Sequence, residues 1–345
     1  MKEDDYVTYK EIIEYRCSHL HSSISWWPRF FYHFTDINNA MGIIDQGWIY
    51  GRNDAKKNHL MQSDNASQSV ISVTSNFVKD YGRLYFRPLT PTQYHNEGYK
   101  PEHIRKSEIN ACCPVPIFFC LDAETILNIE GVEFVECGLA GQYHNQLQHG
   151  INEFSKLNYS KIYHTGYFDP YAEGDITQYR HSEVIRSGGI PIERALRKVF
   201  CRSPAEKQTL IYLIEKTVPL KLSNYIQRID YNPQLALFNN NGIFIKTVET
   251  TTDGLKFNFN ETSLRYGREK SKGQDLLMTI HLYWINDRLG IFDHEMASTV
   301  VDYSKQIGVR LDFGKKQSNC VLVEARFDDH LMYMNYINLT EQELL

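Results

Sequence analysis

A change of sequence pattern near residue 233 constrains the fold of this 345-residue chain more than any other feature. Beyond that point, alternating apolar segments are separated by turns rich in Asn, Gly, Asp and Lys, a pattern typical of an antiparallel β-sandwich. Before it, short apolar strands are mixed with segments of helical spacing. The sequence therefore predicts an α+β protein with domains at residues 1–230 and 231–345. The predicted C-terminal strands are 242–248, 255–259, 276–284, 320–327 and 332–337.

The composition argues against several classes of protein. The formal net charge is −5, so the chain is not a non-specific nucleic-acid binder, and any nucleic-acid site has to be a local patch. No apolar stretch of about 18 residues predicts a membrane span, and the acidic N-terminus does not resemble a signal peptide. Seven cysteines without a Cys-x-x-Cys pair predict reduced thiols, a cytoplasmic location and no metal site.

The N-terminal part contains recognisable starts and ends of elements. Residues 30–34 predict a strand, and Asp36 is a good N-cap for a helix that Gly47 ends. Residues 51–69 are polar and without period, which predicts a long loop. Further predicted strands are 48–50, 70–74, 83–87, 115–121 and 181–185, with a helix within 141–163 and short elements at 192–199 and 208–214.

The segment Tyr32-His33-Phe34-Thr35 is the first candidate site. Two residues apart on a strand, His33 and Thr35 point to the same face. There they can hydrogen-bond a ribose hydroxyl or a carboxamide. The alternative is a loop histidine and a threonine beside a helix cap.

Two segments with arginines are the next candidates. Arg52 follows Gly51 at a strand end, where its guanidinium can bind a pyrophosphate or lie in a solvated turn. Residues 83–98 interleave Arg83 and Arg87 with aromatic and polar side chains beside a double-proline loop. Such a surface can stack bases and hold phosphates, or it can be an ordinary edge strand with a stiff turn.

Glu183 is the candidate for chemistry, because it lies inside the short predicted strand 181–185 and shares a face with His181 and Ile185. A carboxylate facing a cleft can stabilise an oxocarbenium-like ribose; otherwise Glu183 is a surface residue of an edge strand. The signatures of P-loop, dinucleotide-binding Rossmann, α/β-hydrolase and zinc-protease proteins are absent from the sequence.

Taken in order, these segments resemble the DarT-type ADP-ribosyltransferases over roughly residues 28–200. The matching motifs are Tyr32-His33-Phe34-Thr35 with Asn38, Asn39, Gly42, Ile43, Ile44 and Gly47, then Tyr85-Phe86-Arg87-Pro88, then His181-Ser182-Glu183-Val184-Ile185. The three motifs have the order and spacing of the family, which makes the resemblance far more specific than any one of them.

The resemblance implies a split central sheet and an enzyme that uses NAD⁺ as its substrate, without a metal, to modify a base in single-stranded DNA. It also implies a toxin or anti-phage effector whose mark a macrodomain-type or related hydrolase antitoxin reverses. Glu183 matches the catalytic glutamate. The residues expected along NAD⁺ are His33, Phe34, Thr35, Asn39, Gly42 and Tyr50. The residues expected to bind nucleic acid are Arg83, Arg87, Gln93 and Tyr94.

The sequence departs from the family pattern at the second catalytic residue, an arginine between the first and third motifs. Residues 53–82 contain no arginine, so Arg52 and Arg83 are the candidates, and we assign the role to Arg52. RNA or protein acceptors, and an inactive NAD- or nucleic-acid-binding module, remain alternatives. Residues 231–345 are expected to form a β-rich accessory domain without chemistry of its own.

Overall fold

The computed structural model describes residues 8–61, 77–105, 112–139, 146–169, 173–270, 275–286, 290–314 and 317–339. The chain divides into two compact units. Unit 1 comprises Met1–Asn96, Ile117–Phe200 and Gln234–Phe238, and unit 2 comprises Glu97–Pro116, Cys201–Pro233 and Asn239–Leu345. The predicted domain boundary near residue 230 stays a prediction.

Unit 1 is built from short helices and strands. Its strands are β1 (Phe30–Asp36), β2 (Trp48–Ile49), β3 (Tyr81–Tyr85), β4 (Pro116–Asp122), β5 (Val132–Val135), β6 (Glu183–Ser187), β7 (Ile190–Pro191) and β8 (Leu196–Cys201). Its helices are α1 (Tyr9–His19), α2 (Ile37–Gln46), α3 (Arg52–Lys57), α4 (Pro91–Asn96), α5 (Ala123–Leu127), α6 (Ile151–Ser155), α7 (Tyr159–Ile162) and α8 (Ile176–Tyr179).

The main sheet of unit 1 has the strand order β5-β6-β3-β1-β4-β8, and β2 pairs with β7 in a separate ribbon. β3 is antiparallel to both β1 and β6, which sets Tyr85 beside Tyr32 on one side and Glu183 on the other. β4 is buried along six of its seven residues because it lies inside the sheet, as its unbroken apolar sequence predicts. The mixed sheet with helices confirms the α+β prediction.

The helix after β1 begins and ends at the predicted residues. The Asp36 side chain accepts a hydrogen bond from the Asn38 backbone amide, and Gly47 ends α2 in the left-handed conformation with φ of 72°. This conformation favours glycine because a Cβ atom would be strained there. The cap therefore fixes the direction in which α2 leaves the end of β1.

Two N-terminal predictions differ from the structure, and a third falls on residues outside the described ranges. The polar segment 51–69 contains the short helix α3, which has no buried residue and therefore no apolar face for the sequence to reveal. The predicted strand 70–74 lies outside the described residues. The helix predicted within 141–163 is present as two short helices, α6 and α7.

Among its described residues, unit 2 contains two α-helices, α9 (Pro204–Thr217) and α10 (Pro219–Tyr225). Its strands are β9 (Ile229–Asp230), β10 (Ile245–Thr250), β11 (Gly254–Phe259), β12 (Asp275–Ile285), β13 (Ile291–Asp302), β14 (Gly308–Asp312), β15 (Cys320–Phe327) and β16 (His330–Asn338). All five strands predicted in the C-terminal part are confirmed, whereas β13 and β14 were not predicted, and the short element predicted at 208–214 lies within the fourteen-residue helix α9.

Two antiparallel sheets form the β-rich part of unit 2, one with the order β10-β11-β14 and one with the order β13-β12-β15-β16. Their side chains meet face to face: the rings of Phe259 and Phe327 lie 5.5 Å apart, and those of Phe257 and Tyr333 lie 6.5 Å apart. This packing fits the predicted sandwich-like arrangement. Within the described ranges, no helix is long and apolar enough to cross a membrane.

Candidate active site

A cavity of about 260 Å³ lies within unit 1, between β1, α2, α3, β3 and α4. Nine of the twelve predicted site residues line it: His33, Phe34, Thr35, Asn39, Gly42, Tyr50, Arg52, Arg83 and Gln93. The sequence therefore identified residues from five separate segments that the fold brings to one concave surface. Concave, largely apolar surfaces with a few converging polar groups are the usual form of a small-molecule site.

His33 forms part of the cavity wall at the middle of β1. Its Nδ1 lies 3.1 Å from the backbone oxygen of Arg83, which can only accept, so Nδ1 carries the proton. Burial lowers the pKa of His33 to about 4. The ring is therefore neutral near pH 7, and Nε2 is a hydrogen-bond acceptor. Thr35, two residues further along the same strand face, adds a hydroxyl that can donate or accept.

The first turns of α2 provide the adjoining wall. Asn39 and Gly42 are three residues apart, so they lie on one face of the helix, and both line the cavity. A Cβ atom on Gly42 would lie 3.3 Å from the backbone oxygen of Leu60. Glycine at this position therefore lets the segment after α3 approach α2 closely and complete the cavity wall.

The two candidate arginines reach the same cavity because of a close backbone contact. A Cβ atom on Gly51 would lie only 2.4 Å from the backbone carbon of Asp80, so only glycine fits there. This contact holds the start of α3, where Arg52 is the first residue, against the segment that leads into β3. Arg52 and Arg83 both line the cavity, as does Tyr50, whose ring stacks on that of Trp48.

Glu183 lies at the start of β6, directly opposite Tyr85 on β3. Its Oε1 accepts a hydrogen bond from Arg83 Nη2 at 2.5 Å, and its Oε2 accepts one from the backbone amide of Leu139 at 3.0 Å. The Glu183 side chain is 1% exposed, whereas that of Arg83 is 32% exposed. The carboxylate therefore lies behind the guanidinium, which borders the cavity.

The Arg83 guanidinium has spare hydrogen-bonding capacity. Within the described part of the chain, its Nε is buried and has no hydrogen-bond partner. Tyr85 lines the cavity beside it, and burial together with the negative charge of Glu183 raises the pKa of its phenol to about 12. This end of the cavity thus combines a cation, a buried carboxylate and a neutral phenol.

Arg87 does not lie at the cavity. It is 3% exposed, and its guanidinium donates to the backbone oxygens of Pro88 and Ile162 at 3.0 and 3.2 Å and to that of His164. It also lies over the Trp27 ring, 4.9 Å from the centroid, and burial lowers its pKa to about 9. These contacts hold two chain segments together and do not support the predicted role in binding nucleic acid.

The other two residues expected to bind nucleic acid differ from each other. Gln93 is 1% exposed and uses both ends of its amide: it accepts from the backbone amide of Leu89 at 2.6 Å and donates to the backbone oxygen of Leu237 at 2.8 Å. These bonds fix a turn in which Leu89 adopts a φ of 58°. Tyr94 is 44% exposed and therefore presents its ring at the surface.

Three further residues belong to the site but were absent from the predicted set. Tyr85 and Thr92 line the cavity, and Thr92 Oγ1 lies 3.1 Å from His181 Nε2. His181 precedes β6, which begins at Glu183 and not at residue 181 as predicted. The basic-aromatic segment 83–98 contained the signal for Tyr85 and Thr92, but their convergence on His181 depends on strand pairing.

A family model described as "ssDNA thymidine ADP-ribosyltransferase, DarT" matches residues 32–230 of this chain. The match includes every predicted site residue and covers more than half of the chain. A search of curated proteins found no match.

Several solved structures are similar to this chain at low identity. The structure titled "Thermus sp. 2.9 DarT in complex with NAD+" is 14% identical, with a TM-score of 0.43 over 60% of this chain and 97% of that one. The same protein "in complex with ADP-ribosylated ssDNA" is 15% identical, with a TM-score of 0.46 over 60% and 96%. "Thermosipho africanus DarTG in complex with ADP-ribose" is 13% identical, with a TM-score of 0.45 over 66% and 55%.

The family match and the converging motifs agree on one assignment. The cavity brings together His33 and Thr35 of the first motif and Tyr85 of the second with the nearby Arg83, and Glu183 of the third motif lies directly behind it. The chain belongs to the DarT family and is an NAD⁺-dependent ADP-ribosyltransferase that acts on single-stranded DNA.

Proposed function

We propose that the unit 1 cavity holds NAD⁺, that Glu183 and Arg83 act at its reactive end, and that the acceptor is a thymine base. The observation that carries this proposal is the ion pair between Arg83 and Glu183 behind the cavity wall. It joins the third motif to the strand that also contacts His33. His33 Nε2 and the Thr35 hydroxyl then receive the carboxamide and ribose groups of the nicotinamide half.

We assign the second catalytic role to Arg83, although Arg52 was the residue predicted from the sequence. The support is the direct contact of Arg83 with Glu183 and its unused Nε donor. A planar guanidinium can hold the carboxylate with one edge and meet a phosphate or base oxygen with another. Arg52, which also lines the cavity, is assigned to the pyrophosphate.

The reaction replaces one glycosidic bond with another. The bond between ribose C1″ and the nicotinamide nitrogen breaks, and nicotinamide leaves as a neutral molecule while positive charge develops on the ribose. The Glu183 carboxylate stabilises that charge electrostatically. Thymine N3 forms the new bond to C1″, and its proton passes to solvent. The base has to be unstacked to reach C1″, which favours single strands over duplexes.

Family membership supports a biological role that the cavity itself does not specify. We propose a cytoplasmic toxin or anti-phage effector, because modified thymines would obstruct copying of the DNA strand. A macrodomain-type or related ADP-ribosyl hydrolase is the partner that such a toxin requires. Its test is direct: a purified macrodomain hydrolase should remove the label from modified oligonucleotides, and a persistent label would contradict reversal by this class of enzyme.

The catalytic proposal is tested by substituting the carboxylate. Glu183→Gln should reduce transfer of labelled ADP-ribose to a thymine-containing oligonucleotide by about 10²–10³-fold, because one electrostatic stabiliser is lost. The exposed Glu130→Gln is the matched control and should keep full activity. Thermal unfolding and NAD⁺ titration establish that both variants are folded and bind substrate.

The acceptor is tested with the unaltered protein. The labelled product should form on single-stranded DNA containing thymine, and not on a thymine-free strand, on the same sequence as a duplex, or on cellular protein. A uridine-containing RNA separates the remaining alternative, since uracil has the same N3. Equal labelling of RNA and DNA would contradict the DNA assignment, and labelling of the thymine-free strand would contradict the choice of base.

A further inference from the structure

Strand β13 forms an open edge of the four-stranded sheet in unit 2. It pairs with β12 along eleven register positions and is the last strand in the order β13-β12-β15-β16. No described strand pairs with its other side. An open edge presents unpaired backbone groups, and proteins usually protect such edges with charged side chains, above all lysine, with proline, or with a short length. β13 has twelve residues and contains no lysine, arginine or proline, and its acidic residues Asp293 and Glu295 lie on the inner face, opposite Trp284 and Leu282.

The outer face of this sheet is covered on one side only. On the β15–β16 half, α9 packs its Tyr212 against Leu322 and Tyr336. The cover reaches the end of β12, where Ile285 belongs to the same cluster and Tyr283 packs against it, whereas the rest of the β12–β13 half has no such cover among the described residues. The large apolar side chains exposed on these two strands are Leu277, Ile291, Phe292, Met296 and Val300, with exposed fractions of 47%, 58%, 49%, 64% and 56%. They are five of the eleven exposed large hydrophobic side chains of the described chain.

Between its ends, this half-face carries no formal charge, and Asp275 and Asp302 lie opposite each other at one end. The β12 residues that point outward are Leu277, Thr279, His281 and Tyr283, and their β13 partners are Val300, Ser298, Met296 and His294. The rings of Tyr283 and His294 stack at 4.6 Å, and His281 Nδ1 lies 3.0 Å from His294 Nε2. A nucleic-acid platform would need cations to meet phosphates, so the composition favours a protein surface that is equally uncharged and apolar.

We propose that β13 pairs antiparallel with β13 of a second copy of this chain, joining the two four-stranded sheets into one continuous sheet. The sequence of β13 is self-complementary about Met296. A two-fold axis there sets Met296 against itself, and Phe292 against Val300 of the second copy. On the other face it sets the two acidic residues against neutral ones, Glu295 against Ala297 and Asp293 against Thr299.

The acidic residues also disfavour registers displaced towards the start of the strand. Shifting the axis to Glu295 sets that carboxylate against its own copy, and shifting it to His294 sets Asp293 against Glu295. Like charges directly opposite each other destabilise a strand pair. The apolar pairs and the charge pattern therefore agree on an axis at Met296 and disfavour its displacement towards the start of the strand.

The mass of the full chain in solution tests this pairing. Light scattering coupled to size exclusion should give twice the 40.4 kDa chain mass, 2 × 40.4 = 80.8 kDa, with dissociation on dilution. Met296→Lys places two ammonium groups across the axis and should raise the dissociation constant by about tenfold or more. Ile307→Lys, at a residue of unit 2 that is 66% exposed and outside β13, is the matched control and should remain dimeric.

Cross-linking tests the register. Met296→Cys should form a disulfide-linked dimer under mild oxidation, because the residue meets its own copy at the axis, whereas Ile307→Cys and the unaltered chain should not. A monomeric wild-type chain at high concentration, or equal cross-linking of both cysteine variants, would overturn the proposal. DNA labelling by Met296→Lys should equal that of the wild type, so the result is independent of the proposed catalytic site.

Discussion

Two antiparallel strand pairs of this protein reverse the usual distribution of side chains in opposite ways. In unit 1, β3 and β6 bury an ion pair, with the Glu183 side chain only 1% exposed. In unit 2, β12 and β13 expose apolar side chains, with Met296 64% exposed. Soluble proteins usually do neither, since charges are costly to bury and large apolar patches favour association. Each reversal therefore indicates a function, and the two functions differ.

The comparison separates chemistry from association. A buried ion pair is weak evidence for stability, because desolvation offsets much of its attraction. Beside a cavity, however, low exposure strengthens the electrostatic effect of a carboxylate on a developing positive charge. An exposed apolar strand face has no group that stabilises a developing charge, but it can pack against another exposed apolar face. We expect changes in unit 1 to alter turnover and changes in β13 to alter oligomeric state.

The largest expected effect comes from ending the chain at residue 232, the boundary predicted from the sequence. This removes the strands on which α9 packs Tyr212, and it removes Leu237, which packs with Tyr32 and Phe118 in the core of unit 1. Each buried large side chain that loses its cover costs about 1.5–3 kcal/mol. The shortened chain should therefore be insoluble or unfolded, as measured by recovery and circular dichroism.

A shortened chain that is soluble would contradict this expectation. If it binds NAD⁺ and labels oligonucleotides at the full rate, the boundary near residue 230 separates two independent domains and residues 231–345 serve recruitment. If it binds NAD⁺ but labels poorly, those residues help to hold the acceptor. The full-length chain, purified in parallel, is the control for solubility and activity.

The second effect distinguishes the two arginines of the cavity. Arg83→Lys should lower turnover by about 10²-fold, because an ammonium cannot hold Glu183 and a second group at once as a guanidinium can. Arg52→Lys should mainly raise KM for NAD⁺, since a point charge still attracts a pyrophosphate. Steady-state kinetics of both variants measure this split. A larger loss of turnover in Arg52→Lys would return the catalytic role to the residue that the sequence favoured.

The sequence revealed those parts of the site that depend on local signals. His33 and Thr35 share a strand face, Asp36 and Gly47 delimit α2, and these features follow from neighbouring residues. The pairing of Arg83 with Glu183 joins positions 100 residues apart through the order β6-β3-β1, which no local pattern encodes. For the same reason the sequence could not separate Arg83 from Arg52.

Two other features of the structure depend on tertiary contacts in the same way. Arg87 fits a basic surface in sequence, but backbone oxygens from residues 75 and 77 positions away surround its guanidinium. β13 alternates only weakly in polarity, because three of its outward positions, Phe292, Met296 and Val300, are apolar where an exposed edge would normally be polar. The sequence pattern of Arg87 is typical of an exposed surface, but the residue is buried. The apolar residues of β13 are typical of a buried strand, but they are exposed.

The smallest expected effect concerns pH. It tests whether the His33 ring in the cavity wall is shielded from water, as the Glu183 carboxylate is. Burial lowers the pKa of His33 from its usual 6.5 to about 4, so the neutral ring that accepts from NAD⁺ persists well below pH 6. NAD⁺ affinity should therefore be nearly constant from about pH 8 to 5.5 and fall only towards pH 4. The free energy of unfolding should also fall, because a group with a lowered pKa loses its contribution to stability as pH falls from the unfolded pKa towards the folded one.

Calorimetric titration of the Glu183→Gln variant, whose turnover is strongly reduced, measures the NAD⁺ affinity. His33→Gln, which keeps an acceptor oxygen but does not titrate, is the control. A drop in affinity centred near pH 6.5 that is absent from His33→Gln would mean that water reaches the ring. The cavity would then be solvated at β1, although the carboxylate on β6 is buried.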